Sequence, residues 1–185
     1  LMRQDPEVIM IGEIRDRSTA EAAFGASLTG HLLFSTFHAG SAAEAVSRLS
    51  DMGIEPYLLR SGLLAIVSQR LVRRLCDCAR WSNDPADRLG LPVEGVRLPV
   101  GCRTCNGTGY RGRFAMVEML VPQRSEVGRA ILSRSDAATI QQLAIDAGMV
   151  SRWQRACQAV RDGWTSAAEV RRVLGFSTPG GETGP

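Results

Sequence analysis

Residues Asp5–Asp16 read DPEVIMIGEIRD. Within them Val8–Ile11, VIMI, is a continuous apolar run, too short for a helix, rich in branched side chains and bounded by Pro6 and Gly12. Such a run reads as a strand buried on both faces of a parallel α/β sheet. Ser18-Thr-Ala-Glu21 then carries a capping-box pattern, which predicts a helix from Ser18 to about Leu28, closed by Thr29-Gly30. Leu32–Phe37, LLFSTF, is a second strand candidate with His38 at its end. Strand, helix and strand in so short a span make a βαβ unit with parallel strands and a right-handed crossover.

Glu13, Arg15 and Asp16 follow the first strand at once, and His38 follows the second. In a parallel pair both groups fall on the C-terminal edge, where open α/β sheets bind their ligands. An apolar strand that delivers a carboxylate at its end has the layout of a Walker B element. The carboxylate can hold Mg²⁺ or orient a water against a γ-phosphate. The alternatives are a common strand followed by a charged loop, and a loop histidine with no task.

DPEVIMIGEIRD and TGHLLFSTFHAG together resemble the Walker B and histidine boxes of the secretion ATPase superfamily, the ATPases of type II secretion and type IV pilus assembly. The resemblance extends to Phe176. It implies that Glu13 is the catalytic Walker B carboxylate and that His38 senses the γ-phosphate, with Gly12, Arg15, Asp16 and His31 near nucleotide and Mg²⁺. After its histidine the family usually has Thr-Asn; this chain has Ala39-Gly40. The fold class expected is α/β: a RecA-like P-loop NTPase parallel-sheet core lacking its P-loop half, with a Cys-rich zinc knuckle and a helical C-terminal subdomain. The resemblance further implies ATP as cofactor and a homo-oligomeric ring of six subunits. It places the protein in the cytoplasm, peripheral at the inner membrane. There ATP turnover would drive pilin or pseudopilin assembly through a membrane platform protein.

The composition bounds these readings. The 185 residues, 44% hydrophobic and 22% charged, describe an ordinary globular chain, and a net charge of +3 makes no case for nucleic acid. All 22 basic residues are Arg. A P-loop, GxxxxGK[ST], needs its Lys on the β/γ-phosphates, so these residues contain none. The chain, opening on Leu1, is therefore expected to be the C-terminal part of a longer protein that carries its P-loop upstream. Alone, it is expected to bind nucleotide poorly and hydrolyse it negligibly. The apolar stretch Leu63–Val67 is too short and too closely flanked by charge to span a bilayer. No secretory signal is visible.

Of five Cys, four stand in two close pairs, Cys76/Cys78 and Cys102/Cys105, at the ends of a Pro-containing loop, 79–101. Two such pairs can supply four thiolates to a structural Zn²⁺, with no open position for catalysis; an unmetallated site is the alternative. The second pair, CRTCNGTG, is a good knuckle whose glycines let backbone N–H groups turn toward sulfur. The first is CxC where zinc-binding members of the resembled family usually have CxxC. The tetracysteine element favours the assembly-type members over the retraction type. CRTCNGTG also fits one copy of the repeat in the DnaJ cysteine-rich region, which leaves a zinc-stabilised binding module, or a non-catalytic remnant, as alternative readings. Cys157 is expected to be a small core residue.

The remaining elements are expected as follows. A helix runs from the Ser41-Ala-Ala-Glu44 capping box to about Met52, and another from Pro56 to about Leu75 with a core stripe of Leu59, Leu63, Ile66, Val67 and Leu71. The arginine-rich end of the latter, Gln69, Arg70, Arg73 and Arg74, is a solvated face or a phosphate contact. A strand covers Phe114–Leu120 with Glu118 exposed or paired. Helices follow at Glu126–Leu132, Ala137–Ala147, Arg152–Asp162 and Ala167–Leu174, packed together by Trp153 and Trp164. The expected organisation is an ATPase-core portion over 1–75, a tetracysteine element over 76–113, a strand plus helical subdomain over 114–176, and a disordered tail over 177–185.

Overall fold

The computed structural model describes residues 6–123 and 125–176; Asp5 and the tail 177–185 lie outside them. The first strand, β1 (Val8–Ile11), is followed by helix α1 (Arg17–Leu28) and strand β2 (Leu32–Ser35). β1 and β2 pair in parallel, with Val8 opposite Leu32 and Ile11 opposite Ser35. The βαβ unit read from the sequence is thus present. Its helix, however, starts one turn-position earlier than the Ser18 capping box predicts. Asp16 is the N-cap, accepting from the Thr19 N–H at 2.8 Å, and Ser18 donates to the same carboxylate. An Asp at the N-cap accepts well and meets the positive end of the helix dipole, so it displaces the serine from that role.

The expectation of strands buried on both faces is also corrected. Val8, Met10, Leu32 and Phe34 share one face and are 39–75% exposed, whereas Ile9, Ile11 and Leu33 are half-buried. Two strands with packing on one face only leave the other in solvent, whatever its hydrophobicity.

Packing divides the chain into two units, each built from two separate stretches: residues up to 68 with 119–149, and 69–118 with 150 onward. In the first unit α1, α2 (Ala42–Asp51), α3 (Pro56–Gly62), α4 (Ser125–Leu132) and α5 (Ala137–Asp146) enclose one core. Phe24, Val46, Leu49, Ile54, Leu59, Val127, Ile131 and Ile140 are among its buried members. Each such side chain contributes about 1.5–3 kcal/mol by leaving water. The Ser41 cap of α2 is present, its hydroxyl accepting from the Glu44 N–H at 3.1 Å.

The long helix expected from Pro56 to Leu75 is instead α3 and a strand, β3 (Ile66–Leu75). Gly62 ends the helix where its backbone presses on α1. A Cβ there would stand 2.8 Å from Phe24 Cδ1, and its carbonyl is taken by the Ser27 hydroxyl at 2.9 Å. Beyond it, β-branched Ile66, Val67 and Val72 suit a strand. Of the expected stripe, Leu59 is buried and Leu63 and Ile66 line the core, but Val67 and Leu71 are 58% and 62% exposed.

The second unit contains most of β3, the short antiparallel pair β4 (Arg80–Ser82) and β5 (Val96–Leu98), the body of β6 (Tyr110–Leu120), α6 (Arg152–Arg161) and α7 (Ala167–Leu174). β3 pairs with β6, and the chain passes between units within these two strands. Val72, Val96, Met116, Cys157, Val160 and Val170 form the core, so Cys157 is the small core residue expected. Trp153 lies against that core, whereas Trp164 is half exposed and meets Phe114 edge to face at 5.8 Å. Glu118 is buried and paired, with Arg152 Nε 3.2 Å away. Among the described residues no helix is long and apolar enough to cross a membrane.

Candidate nucleotide rim and metal centre

The backbone after β1 stays tied to the backbone after β2. Ile14 N–H donates to the Thr36 carbonyl at 3.0 Å, and the Thr36 hydroxyl donates to the Gly12 carbonyl at 2.6 Å. Glu13 and His38 therefore meet at the sheet's C-terminal rim, with His38 Nε2 3.0 Å from Glu13 Oε1. Arg15 Nε donates to the other oxygen, Oε2, at 2.6 Å. The Arg15 hydrogen bond, joined by the charges of Arg15 and His38, holds the Glu13 carboxyl below its ordinary value despite some desolvation. Glu13 is thus an ionised acceptor at neutral pH. Its side chain is 19% exposed, while those of Arg15 and His38 are 77% and 86% exposed, so both partners can move toward a ligand.

The other expected site residues take distinct places. Gly12 lends its carbonyl to Thr36. Asp16 caps α1, and the Thr19 N–H, followed by the Ser18 hydroxyl, holds its carboxyl low. His31 sits at the far end of α1, its Nδ1 3.0 Å from Thr29 Oγ1 and 3.1 Å from the Ala26 carbonyl. Two residues at the rim were not singled out from the sequence. Thr36 lies within the predicted strand, where a hydroxyl carries no signal. Arg48, from α2, reaches the His38 carbonyl with its guanidinium and covers the Phe37 ring at 5.4 Å.

In the second unit the four paired cysteines converge. Cys76, Cys78, Cys102 and Cys105 place all four Sγ atoms within 4.8 Å of one another. The Cys76–Cys102 and Cys102–Cys105 separations are 3.8 Å and Cys78–Cys105 is 3.9 Å. A tetrahedral Zn²⁺ with sulfur at about 2.3 Å needs S···S edges of about 3.8 Å, so the donor set fits that ion. The CxC spacing suffices because the chain turns there, Ala79 N–H donating to the Cys76 carbonyl at 2.9 Å. Cys105 Sγ accepts the N–H groups of Cys102 and Gly109 at 3.1 and 3.2 Å. Burial alone would raise this thiol; those donors outweigh it and bring it down to about 6, whereas burial pushes Cys78 up to about 11. Only glycine serves at 109, where φ is +76° and a Cβ would strike that of Pro99 at 2.4 Å.

The strands, rim and helices therefore make an α/β fold with a parallel strand pair and a four-cysteine cluster. Residues 1–172 match the family model described as type II/IV secretion system protein, and the chain belongs to that family. It is 47% identical over 180 residues to a type II secretion system protein E of Aeromonas hydrophila, covering 94% of this chain and 36% of that protein. It is 41% identical to the type IV pilus assembly ATPase PilB of Thermus thermophilus, covering 91% of this chain and 20% of that one. The X-ray structure of the Yersinia pseudotuberculosis ATPase DotB shares the fold, with a TM-score of 0.63 at 24% identity over 95% of this chain and 39% of that chain. The chain spans 36% and 20% of the lengths of these two curated relatives.

Proposed function

We propose that this chain is the Walker B and histidine-box portion of an ATP-hydrolysing motor of type II secretion or type IV pilus assembly. Its P-loop would be supplied by a segment outside these 185 residues, a reading supported by the absence of Lys and by the small share of each relative the chain spans. The observation that carries the proposal is the 3.0 Å approach of His38 to Glu13 at the C-terminal rim of a parallel strand pair.

In this reading Glu13 accepts a hydrogen bond from the attacking water and aligns it, as an ionised carboxylate can. His38 turns its exposed imidazole toward the γ-phosphate and, through Glu13, reports its presence to the sheet. Arg15 exchanges the carboxylate for phosphate oxygens. Gly12, Asp16 and His31 hold the surrounding backbone and helix ends, and a Mg²⁺ arriving with ATP would supply neutralisation of phosphate charge. Cys76, Cys78, Cys102 and Cys105 would hold a structural Zn²⁺, which would cross-link the two ends of the loop between them. The protein acts as a homo-oligomer, in the family's ring of six, at the cytoplasmic face of the inner membrane against a platform protein.

In the full-length protein, Glu13→Gln keeps ATP binding and lowers turnover by about a hundredfold or more. Steady-state ATPase kinetics alongside nucleotide-binding titration make the test. Turnover near the parent value would remove Glu13 from the mechanism.

A further inference from the structure

One residue brackets the Glu13 backbone on both sides. The Thr36 carbonyl accepts from Ile14 N–H at 3.0 Å, and the Thr36 hydroxyl donates to the Gly12 carbonyl at 2.6 Å. The regular ladder of β1 and β2 ends at Ile11 opposite Ser35. Beyond that pair, neighbouring parallel strands diverge unless something ties them. The side-chain bond adds to the Ile14–Thr36 backbone bond beyond the regular ladder, and it falls between Glu13 and the strand that carries it. His38 is two residues along the same segment, with its own carbonyl held by Arg48 from the other side. Glu13 and His38 therefore approach from backbones joined at Thr36, once through its carbonyl and once through its hydroxyl.

We propose that Thr36 is a positioning residue for hydrolysis, its hydroxyl setting the Glu13 backbone, and with it the Glu13–His38 approach, before nucleotide arrives. This rests on the assignment of Glu13 to turnover. The hydroxyl touches neither of those side chains; it acts through the Gly12 carbonyl alone. A carboxylate that aligns water tolerates little displacement, and a misplacement of about 1 Å costs up to about a hundredfold in rate. Threonine suits the place twice over: its branched Cβ favours the extended backbone, and its hydroxyl supplies a donor that valine, of the same shape, lacks.

The test uses the full-length protein and two isosteric or near-isosteric pairs, Thr36 against Thr36→Val and Thr36→Ser against Thr36→Ala. Each pair differs mainly by the hydroxyl, and the comparison is made in whichever pair retains the parent's thermal unfolding midpoint. The member lacking the hydroxyl is expected to lose about tenfold or more in kcat, with KM for ATP within about twofold, and Thr36→Ser to restore most of the loss. Glu13→Gln is measured beside them. If it loses turnover while Thr36→Val and Thr36→Ala keep theirs, the positioning role is overturned and the assignment of Glu13 stands. If kcat and KM worsen together with a lowered unfolding midpoint in both pairs, Thr36 is only structural. If Glu13→Gln retains turnover, the assignment beneath the proposal fails first.

Discussion

Glu13 and Glu169 are both carboxylates held by arginines, yet they are built for opposite ends. Glu13 stands at an open rim with Arg15 and His38, each more than three-quarters exposed. Glu169, on α7, is fully buried. It takes the Arg73 N–H at 2.9 Å, Arg73 Nε and Nη2 at 2.8 and 2.6 Å, and Arg172 Nε and Nη2 at 2.7 and 2.6 Å. Arg73 also covers the Tyr110 ring at 4.1 Å, and Tyr110 shares a 2.6 Å hydrogen bond with Ser166, the cap of α7. All the acceptor capacity of Glu169 is spent within the protein. At Glu13 the partners are side chains free to leave. The lesson is that an ion pair signals chemistry when its members can exchange partners, and stability when burial forbids it.

Five substitutions test that contrast. The largest effect belongs to the closed region. Cys105→Ser removes the sulfur that accepts two backbone N–H groups, and metal analysis should show bound zinc falling from about one per chain toward none. Because structural zinc sites contribute on the order of 10 kcal/mol of apparent binding energy at neutral pH, the second unit should also lose its cooperative unfolding. An unchanged zinc content would exclude Cys105 as a ligand.

Glu169→Ala comes next, leaving two guanidinium groups without their carboxylate. The expected loss is about 3 kcal/mol, at the lower end for buried pairs because both arginines reach solvent. Urea unfolding checks it. The same group predicts a pH dependence. Burial raises its carboxyl, but Arg172 and Arg73 prevail and lower it to about 2, from 4.5. A depressed carboxyl stabilises fully above its unfolded value, so this contribution should hold above about pH 4.5 and fade as pH falls toward about 2. In Glu169→Gln the acid-side decline over that window should flatten; if it persists, other groups govern it.

At the open rim the corresponding change, Glu13→Gln, should leave the urea midpoint unmoved while costing the hundredfold in turnover, about 2.7 kcal/mol of activation free energy. A stability loss comparable with that of Glu169→Ala would erase the distinction between the two carboxylates. The smallest effect is Ser41→Ala. It removes the α2 cap, and with it some hold on the helix from which Arg48 reaches His38, at about 1 kcal/mol in thermal unfolding.

Much of the rim was legible in the sequence because its elements are local. VIMI, the helix after it and LLFS all form within a short span, and parallel pairing then puts Glu13 and His38 on one edge. The four cysteines were legible because thiol pairs at loop ends carry their chemistry in their spacing. The segment after Pro56 was misread because a leucine-rich run bears both periods. Gly62, pressed on Phe24, and pairing with β6 chose the strand. Ser166-Ala-Ala-Glu169 has the pattern of a capping box, and the Glu169 backbone N–H does bond Ser166 Oγ, at 3.1 Å. Its side chain answers instead to Arg73, almost a hundred residues earlier.

Local sequence accounts for the family, the cap at Ser41, and the residue types gathered at the rim and the metal centre, since each depends on neighbours a few residues away. Long-range packing fixes which apolar strand face stays in solvent, how each unit is assembled from two distant stretches, and which carboxylate is buried. Those outcomes turn on contacts between residues far apart in the chain, where the free energy of desolvation and pairing is set by what surrounds a group and no local pattern records it.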